Sequence, residues 1–241
     1  RGLTRVGYTV EFYRSGDLAD ALDDAKAFVI IDPAREYRQG DVDDVRQFTG
    51  QGGRLLIAGE PNRISVSASL FGTSIQRQDS ALTTLGSAYG VSIGTAYLSN
   101  QESADANYKF IRTQPTDAAE LGGVEETTMY TAGAVRMRGG ETLLRTAPGT
   151  LESSTDDERG RHAVAVRRND VVVTGDKTFM QEDRFRVADN EVFLTYLVEF
   201  LASSERDPDR SISSESEEED ENGTPDGNVT TATSAYTGDV D

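Results

Sequence analysis

The sequence has no cysteine and only one histidine among its 241 residues. Without cysteine, the chain forms no disulfide and no thiolate zinc site, and it has no cysteine nucleophile. The single histidine, His162, leaves any zinc site to carboxylate ligands. These absences, together with the lack of a complete catalytic motif, argue against most enzyme mechanisms, so we expect the protein not to be an enzyme.

Positive charge is also scarce, with 24 Lys and Arg against 42 Asp and Glu, for a net charge of −18. Residues 203–241 hold 12 acids and two arginines, so they carry −10 and residues 1–202 carry −8. Nucleic-acid binding requires a positive stripe that releases counterions, and no segment provides one. An anionic membrane surface is disfavoured for the same reason.

Lysine supplies only three of the 24 basic residues. A high acid content with very little lysine is typical of extreme halophiles, because concentrated salt screens the repulsion between carboxylates. We therefore expect a halophilic, archaeal source; the alternative is an ordinary acidic protein.

No apolar run reaches the roughly 18 residues of a membrane-spanning helix. The nearest is 192–202, which Glu199 interrupts. The chain begins at Arg1 rather than at methionine, so we expect a fragment of a longer protein. A leader or membrane anchor outside this segment is compatible with that expectation.

Short apolar runs of strand length mark the first part of the chain. AFVII at 27–31 and RLLIA at 54–58 lack polar alternation, as expected of strands buried on both faces of a parallel sheet. Between them, helical spacing after the N-cap candidate Asp41 predicts a crossover helix that Gly50, Gly52 and Gly53 end. Strand, helix and strand form a right-handed βαβ unit.

Later segments predict another buried strand at 171–173 and an amphipathic helix at 190–201, capped by Asp189 or Asn190. We interpret 64–160 as a smaller, variable β-rich insertion. The acidic, polar residues 203–241 predict a disordered tail. Residues 1–202 thus predict an open, mostly parallel flavodoxin-like sheet with helices on both faces, whose usual first strand and helix are missing from the sequence.

A resemblance to a known family rests on FVIIDP, GQGGRLLIAGEPN, NYKFI, VVVTGDKTFM and ADNEVFLTYLVEFL. The chain resembles an uncharacterised haloarchaeal domain family of the class I glutamine amidotransferase-like superfamily. That family is similar to non-catalytic domains of gliding-motility and intraflagellar-transport proteins. The resemblance covers residues 3–202, and it implies an amidotransferase-like fold without known activity. It also implies a domain tethered to the membrane and exposed outside the cell; the alternative location is cytoplasmic.

Ligands of open α/β sheets bind beyond the carboxyl ends of the strands. The candidate ligand-binding residues there are Asp32, Glu60, Asn62, Arg63, Asp176 and Lys177. Asp32, Glu60 and Asp176 would form a site for Mg²⁺ or Ca²⁺, which prefer oxygen ligands. Arg63 and Lys177 would instead receive an anion. Otherwise, these acids cap helices or are solvated, and no cofactor is needed.

Two short motifs lack the context that their chemistry requires. GVSIG at 90–94 matches the G-x-S-x-G nucleophile elbow, but a predicted helix precedes it and a strand follows, the reverse of the elbow. GDKT at 175–178 lacks the first glycine of a phosphate-binding loop. We therefore assign no catalytic residue.

The sequence favours a non-catalytic binding or scaffolding domain outside a haloarchaeal membrane, with a protein partner. The alternatives are a metal-dependent hydrolase built on the three carboxylates and a small-molecule sensor at the strand ends. Asn222 and Asn228 head N-x-T sequons in the predicted tail and are candidate glycosylation sites.

Lowering KCl from molar concentration to about 0.1 M is expected to lower the thermal unfolding midpoint, because carboxylate repulsion is then less screened. Circular dichroism over a KCl series measures this shift. The same series near pH 4, where more carboxylates are neutral, is the control and should show a smaller effect. An unfolding midpoint that does not change with KCl at neutral pH contradicts the halophilic interpretation.

Overall fold

A computed structural model describes residues 7–61, 63–69, 72–78, 81–154, 159–207 and 228–233. Within these ranges, no helix combines the length and the apolar character that crossing a membrane requires.

The described residues form four α-helices, one 3-10 helix and fifteen strands. The helices are α1 (Leu18–Asp23), α2 (Gln39–Gly50), α3 (Thr83–Tyr89) and α4 (Asn190–Ala202), and the 3-10 helix spans Thr178–Met180. The strands are β1 (Thr9–Phe12), β2 (Ala27–Ile31), β3 (Arg54–Ala58), β4 (Arg63–Ser69), β5 (Gly72–Gln78), β6 (Val91–Ser99), β7 (Phe110–Pro115), β8 (Thr127–Tyr130), β9 (Gly133–Met137), β10 (Glu141–Thr146), β11 (Thr150–Glu152), β12 (Arg159–Gly160), β13 (Ala163–Arg168), β14 (Val171–Thr174) and β15 (Asn228–Thr233).

The main sheet contains nine strands in the order β1-β15-β2-β3-β14-β13-β10-β7-β8. The four pairs from β1 to β14 are parallel. The four pairs from β14 to β8 are antiparallel. A second, antiparallel sheet has the order β12-β11-β6-β9, and β4 pairs with β5 in a separate antiparallel hairpin.

The predicted open, mostly parallel flavodoxin-like sheet is therefore wrong. The seven strands from β2 to β8 in sheet order contain two parallel and four antiparallel pairs, and the second sheet is antiparallel. The apolar runs marked β2, β3 and β14, which are parallel neighbours. The connection between β13 and β14, however, is only Asn169 and Asp170, and two residues permit antiparallel pairing alone. Asn169 has a φ of +52°, as such tight turns require.

Apolar side chains cover both faces of the central strands. On one face, Phe193, Leu197 and Phe200 of α4 join a cluster with Val29 and Leu56. On the other face, buried residues of the first three helices join a cluster with those of β2, β3 and β14. The region 64–160, predicted as an insertion, supplies β7, β8 and β10 to the main sheet.

The contacts of the body continue past the end of α4. Arg206, only 5% exposed, donates from Nη1 to the carbonyl oxygens of Asp23 and Ala25, both at 2.6 Å. Its Nε and Nη2 donate to Gln51 Oε1 at 3.2 Å, and its guanidinium lies 5.2 Å from the ring centroid of Phe48. Arg206 therefore fixes the start of the predicted tail beside the connection from α1 to β2.

Arg206→Ala is expected to lower the free energy of unfolding by about 3 kcal/mol, because two carbonyl acceptors of the α1–β2 connection lose their donor. Arg206→Lys keeps the charge but not the planar fork, so its loss should be intermediate. Chemical denaturation measures both.

Arg46→Ala is the matched control, because Arg46 is exposed on α2 and its replacement removes the same charge. Its effect should stay within about 0.5 kcal/mol. Equal stability of Arg206→Ala and Arg46→Ala would show that the buried guanidinium contacts contribute nothing.

Candidate functional site at the strand ends

The carboxyl ends of the three central strands lie at the same end of the main sheet. Ile31 of β2 pairs with Ala58 of β3, which pairs with Thr174 of β14. Because these parallel strands end in register, the predicted acids that follow them are brought to the same end.

Asp32 and Lys177 form an ion pair at this end. The Lys177 Nζ lies 2.5 Å from Asp32 Oδ2, and both side chains are partly buried. Asp32 holds a φ of +40°, which is uncommon for a residue other than glycine. Its backbone N–H donates to the Ala58 carbonyl at 2.8 Å. The lysine that would receive an anion is therefore engaged by a carboxylate of the fold.

Glu60 is buried, with 7% of its surface exposed. Its Oε1 accepts a hydrogen bond from the Thr178 hydroxyl at 2.9 Å. Glu60 thus joins the residues after β3 to the 3-10 helix, which begins at Thr178.

Asp176 is fully buried. Its Oδ2 accepts from the Tyr130 backbone N–H and its Oδ1 from the Thr178 backbone N–H, each at 2.7 Å. Burial raises the pKa of Asp176 to about 6, although the backbone N–H donors favour the charged form and oppose that rise. The carboxylate is a bridge between β8 and the 3-10 helix.

Asp176 is one of three side chains that bond to the free edge of β8, the last strand of the main sheet, or to Glu126 just before it. The backbone donors and their acceptors are Glu126 with Asp189 Oδ2, Thr128 with Asn190 Oδ1 and Tyr130 with Asp176 Oδ2, at 3.0, 2.9 and 2.7 Å. The Asn190 amide also donates to the Thr128 carbonyl at 3.1 Å. These side chains take the place of a neighbouring strand, and we call them the β8 edge cap.

The edge cap explains residues for which the sequence suggested other roles. Asp189 stands at the N-terminus of α4, but its side chain forms no capping bond with the helix. The spacing of Asp and Asn before an apolar stripe predicts a helix cap, and only the tertiary structure shows that both side chains turn to β8.

The three predicted metal ligands each bond to groups of the protein, and Glu60 and Asp176 share Thr178 as a partner. Asp32 binds Lys177, Glu60 binds Thr178, and Asp176 binds backbone amides. Among the residues that the structure describes, no group of three or more His, Asp or Glu side chains is placed to hold a metal ion.

Other predicted positions lie outside this constellation. Asn62 and Asn222 are not among the described residues, Arg63 begins β4, and Asn228 begins β15. GVSIG at 90–94 follows α3 and opens β6, the reverse of a nucleophile elbow.

His162 lies just before β13. It is partly buried, and its Nε2 lies 3.1 Å from the Thr150 carbonyl oxygen.

A cluster of aromatic and cationic side chains was missed by sequence reasoning. Lys109 Nζ lies 4.3 Å from the ring centroid of Tyr97 and 5.6 Å from that of Tyr108, which is 46% exposed. The Arg184 guanidinium lies 5.3 Å from the Phe110 centroid. We call these five residues the aromatic ledge. Its signal in the sequence was the NYKFI segment, but the arginine comes from a distant loop.

The fold and the site define a mixed α/β domain whose strand-end carboxylates bond to groups of the fold itself. The chain belongs to the family "Domain of unknown function (DUF4350)", whose model matches residues 3–198. The predicted membership in an uncharacterised domain family is therefore confirmed. No curated protein sequence matches the chain.

Solved structures show where this fold also occurs. The mmIFT52 N-terminal domain is similar with a TM-score of 0.63 and 10% identity, over 82% of this chain and 88% of that chain. The putative thua-like protein from Parabacteroides merdae gives a TM-score of 0.41 and 11% identity, over 81% of this chain and 77% of that one. The first similarity shows a shared fold and confirms the predicted likeness to an intraflagellar-transport domain; the second is too weak to support an argument.

The buried carboxylate of Asp176 should make stability depend on pH. Its pKa is raised from 3.8 to about 6, so the native state holds the proton more tightly than the unfolded chain does. This contribution is complete below the unfolded pKa and is lost as pH rises toward 6, which lowers the free energy of unfolding by about 3 kcal/mol.

Asp176→Asn removes this titration, so the free energy of unfolding of the variant should fall less than that of the wild type between pH 4 and pH 7. The amide also places a donor against a backbone N–H, so the variant should be less stable at every pH. The change with pH, measured by denaturant titration of both proteins, is therefore the informative quantity. Parallel pH profiles would refute this role of Asp176.

Proposed function

We propose that this protein is a non-catalytic binding or scaffolding domain that contacts another protein. The observation that carries the proposal is that the carboxylates at the strand ends are bonded to other groups of the protein. Asp32 bonds to Lys177, Glu60 to Thr178 and Asp176 to backbone N–H groups. A general base or nucleophile must reach a substrate atom within hydrogen-bond distance. Asp176 is fully buried, and Glu60 is nearly so. Asp32 lies against the ammonium group of Lys177.

The aromatic ledge is the surface that we assign to the partner. Tyrosine and arginine are enriched among the residues that dominate the energy of protein interfaces. Here the cations already lie over aromatic faces, which limits the entropy lost when a partner orders them. Lys109 and Arg184 bring two cations to the surface of a chain of net charge −18, with Arg184 Nε also paired with Asp183 Oδ2 at 3.1 Å, so we assign an acidic or aromatic protein segment as the partner.

The proposal includes a haloarchaeal source and a position outside the cell membrane. The source rests on the excess of acids and the near absence of lysine. The position outside the membrane rests on the resemblance of the sequence to its family. The same resemblance is the basis for the proposed common descent with the class I glutamine amidotransferase-like superfamily. A cytoplasmic position is the alternative.

A photo-crosslinking amino acid placed at Tyr108 of the full-length protein, in its source organism, is expected to give discrete protein adducts. Tyr108 is the most exposed residue of the aromatic ledge, so a partner bound there lies within reach. Electrophoresis and mass spectrometry identify the adducts. The same amino acid at Gln47, exposed on α2, is the control and should give none of these adducts.

Three results would contradict the proposal. Identical adducts at both positions, or none at Tyr108, would remove the assigned interface. Saturable binding of Mg²⁺ or Ca²⁺ in calorimetry that Asp32→Asn abolishes would favour the metal-dependent hydrolase.

A further inference from the structure

The strand β15 lies between β1 and β2 and runs parallel to both. In the described sheet, β1 has no other strand neighbour. A segment from the acidic end of the sequence therefore joins β1 to the rest of the sheet. The space between β1 and β2, which we call the strand groove, has the width and direction of one parallel strand.

The composition of β15 suits this position poorly. A parallel strand with neighbours on both sides is usually a continuous run of Val, Ile and Leu. The adjacent β2 has the sequence AFVII, whereas β15 has NVTTAT. The register sets Thr230 beside Phe28, Thr231 beside Val29 and Ala232 beside Ile30. Threonine fits the extended backbone, but it buries less apolar surface than valine or isoleucine.

The opposite wall of the strand groove has apolar surface that β15 leaves uncovered. Phe12 of β1 pairs with Thr231, yet 60% of its surface is exposed. Among the described residues, the only other large hydrophobic residue that is exposed is Tyr108. The exposure of Phe12 indicates that a bulkier strand would bury more apolar surface in the same place.

The connection to β15 favours reversible occupancy. Arg206 is held by the carbonyl groups of Asp23 and Ala25, close to the start of β2, and the first residue of β15 that pairs with β2 is Thr230, beside Phe28. The 21 residues 207–227 join these points, and nine of them are acidic against one arginine. The carboxylates of this segment repel one another, which opposes the retention of β15 in the sheet.

We propose that the strand groove is a binding site for an uncharged, apolar β-strand of a partner protein, and that β15 is its exchangeable internal occupant. The incoming strand runs parallel to β2, and its backbone takes over the hydrogen bonds of β15. Its larger side chains supply the specificity. The inference deepens the proposed scaffolding function, because it names a second contact and the chemistry of the segment that binds there.

The test uses the full chain in molar KCl and a fluorescein-labelled peptide with the strand VVIVVI between Gly, Ser and Asp residues. Thr231→Pro removes a backbone donor in the middle of β15 and should release it. If β15 leaves about a tenth of the grooves free in the wild type, this variant binds the peptide about tenfold more tightly. Fluorescence anisotropy measures the affinity, and a peptide with a central proline is the control.

Thr231→Val strengthens β15 and should weaken peptide binding relative to the wild type. Equal affinity of the wild type, Thr231→Pro and Thr231→Val overturns the inference, as does a folded Thr231→Pro chain that binds no peptide. If Thr231→Pro unfolds, the wild type and Thr231→Val decide, and equal affinity again overturns it. Adducts at Tyr108 without peptide binding would overturn the strand groove and leave the aromatic ledge intact.

Discussion

Three side chains on the outer edge of β8 join parts of the structure that are far apart in sequence. Asp189 and Asn190 stand at the start of α4, and Asp176 follows β14. Each unpaired buried N–H of an edge strand would cost about 1–3 kcal/mol, so the cap both protects this edge and fixes the positions of helix and strand end. The free edge of β8 is thus covered by side chains from the start of α4 and from Asp176 after β14, and not by another strand.

The same contacts determine whether the carboxylates at the strand ends are available to a ligand. Asp176 has the position of a ligand-binding carboxylate, but its oxygens satisfy backbone donors of β8 and the 3-10 helix. Its raised pKa follows from burial and is the consequence of a structural role. A perturbed pKa at a strand end is often a sign of catalysis, and here the geometry argues for the structural explanation instead.

The sequence predicts the elements better than it predicts their arrangement. The apolar runs located β2, β3 and β14, and the apolar stripe located α4, because burial leaves a local pattern. The short connection at Asn169 and Asp170 sets the antiparallel direction of β13 locally, but strand direction beyond β13 depends on which distant segments pair, and no local pattern records that. Arg206, Asp189 and Asn190 were assigned to the tail or to a helix cap, since their partners lie many residues away. The polar β15 lies within a segment whose composition predicts disorder.

The two edges of the main sheet differ in how they are closed, and this difference bears on function. The edge at β8 is held by three side chains, of which Asp176 and Asn190 are buried, and their loss would leave backbone donors without acceptors. At the other edge, β1 is joined through β15, whose sequence is mostly polar and follows an acidic segment. Exchange with another chain is therefore less costly beside β1 than beside β8. The proposed strand groove and the proposed aromatic ledge would give the domain two separate places at which to hold protein partners.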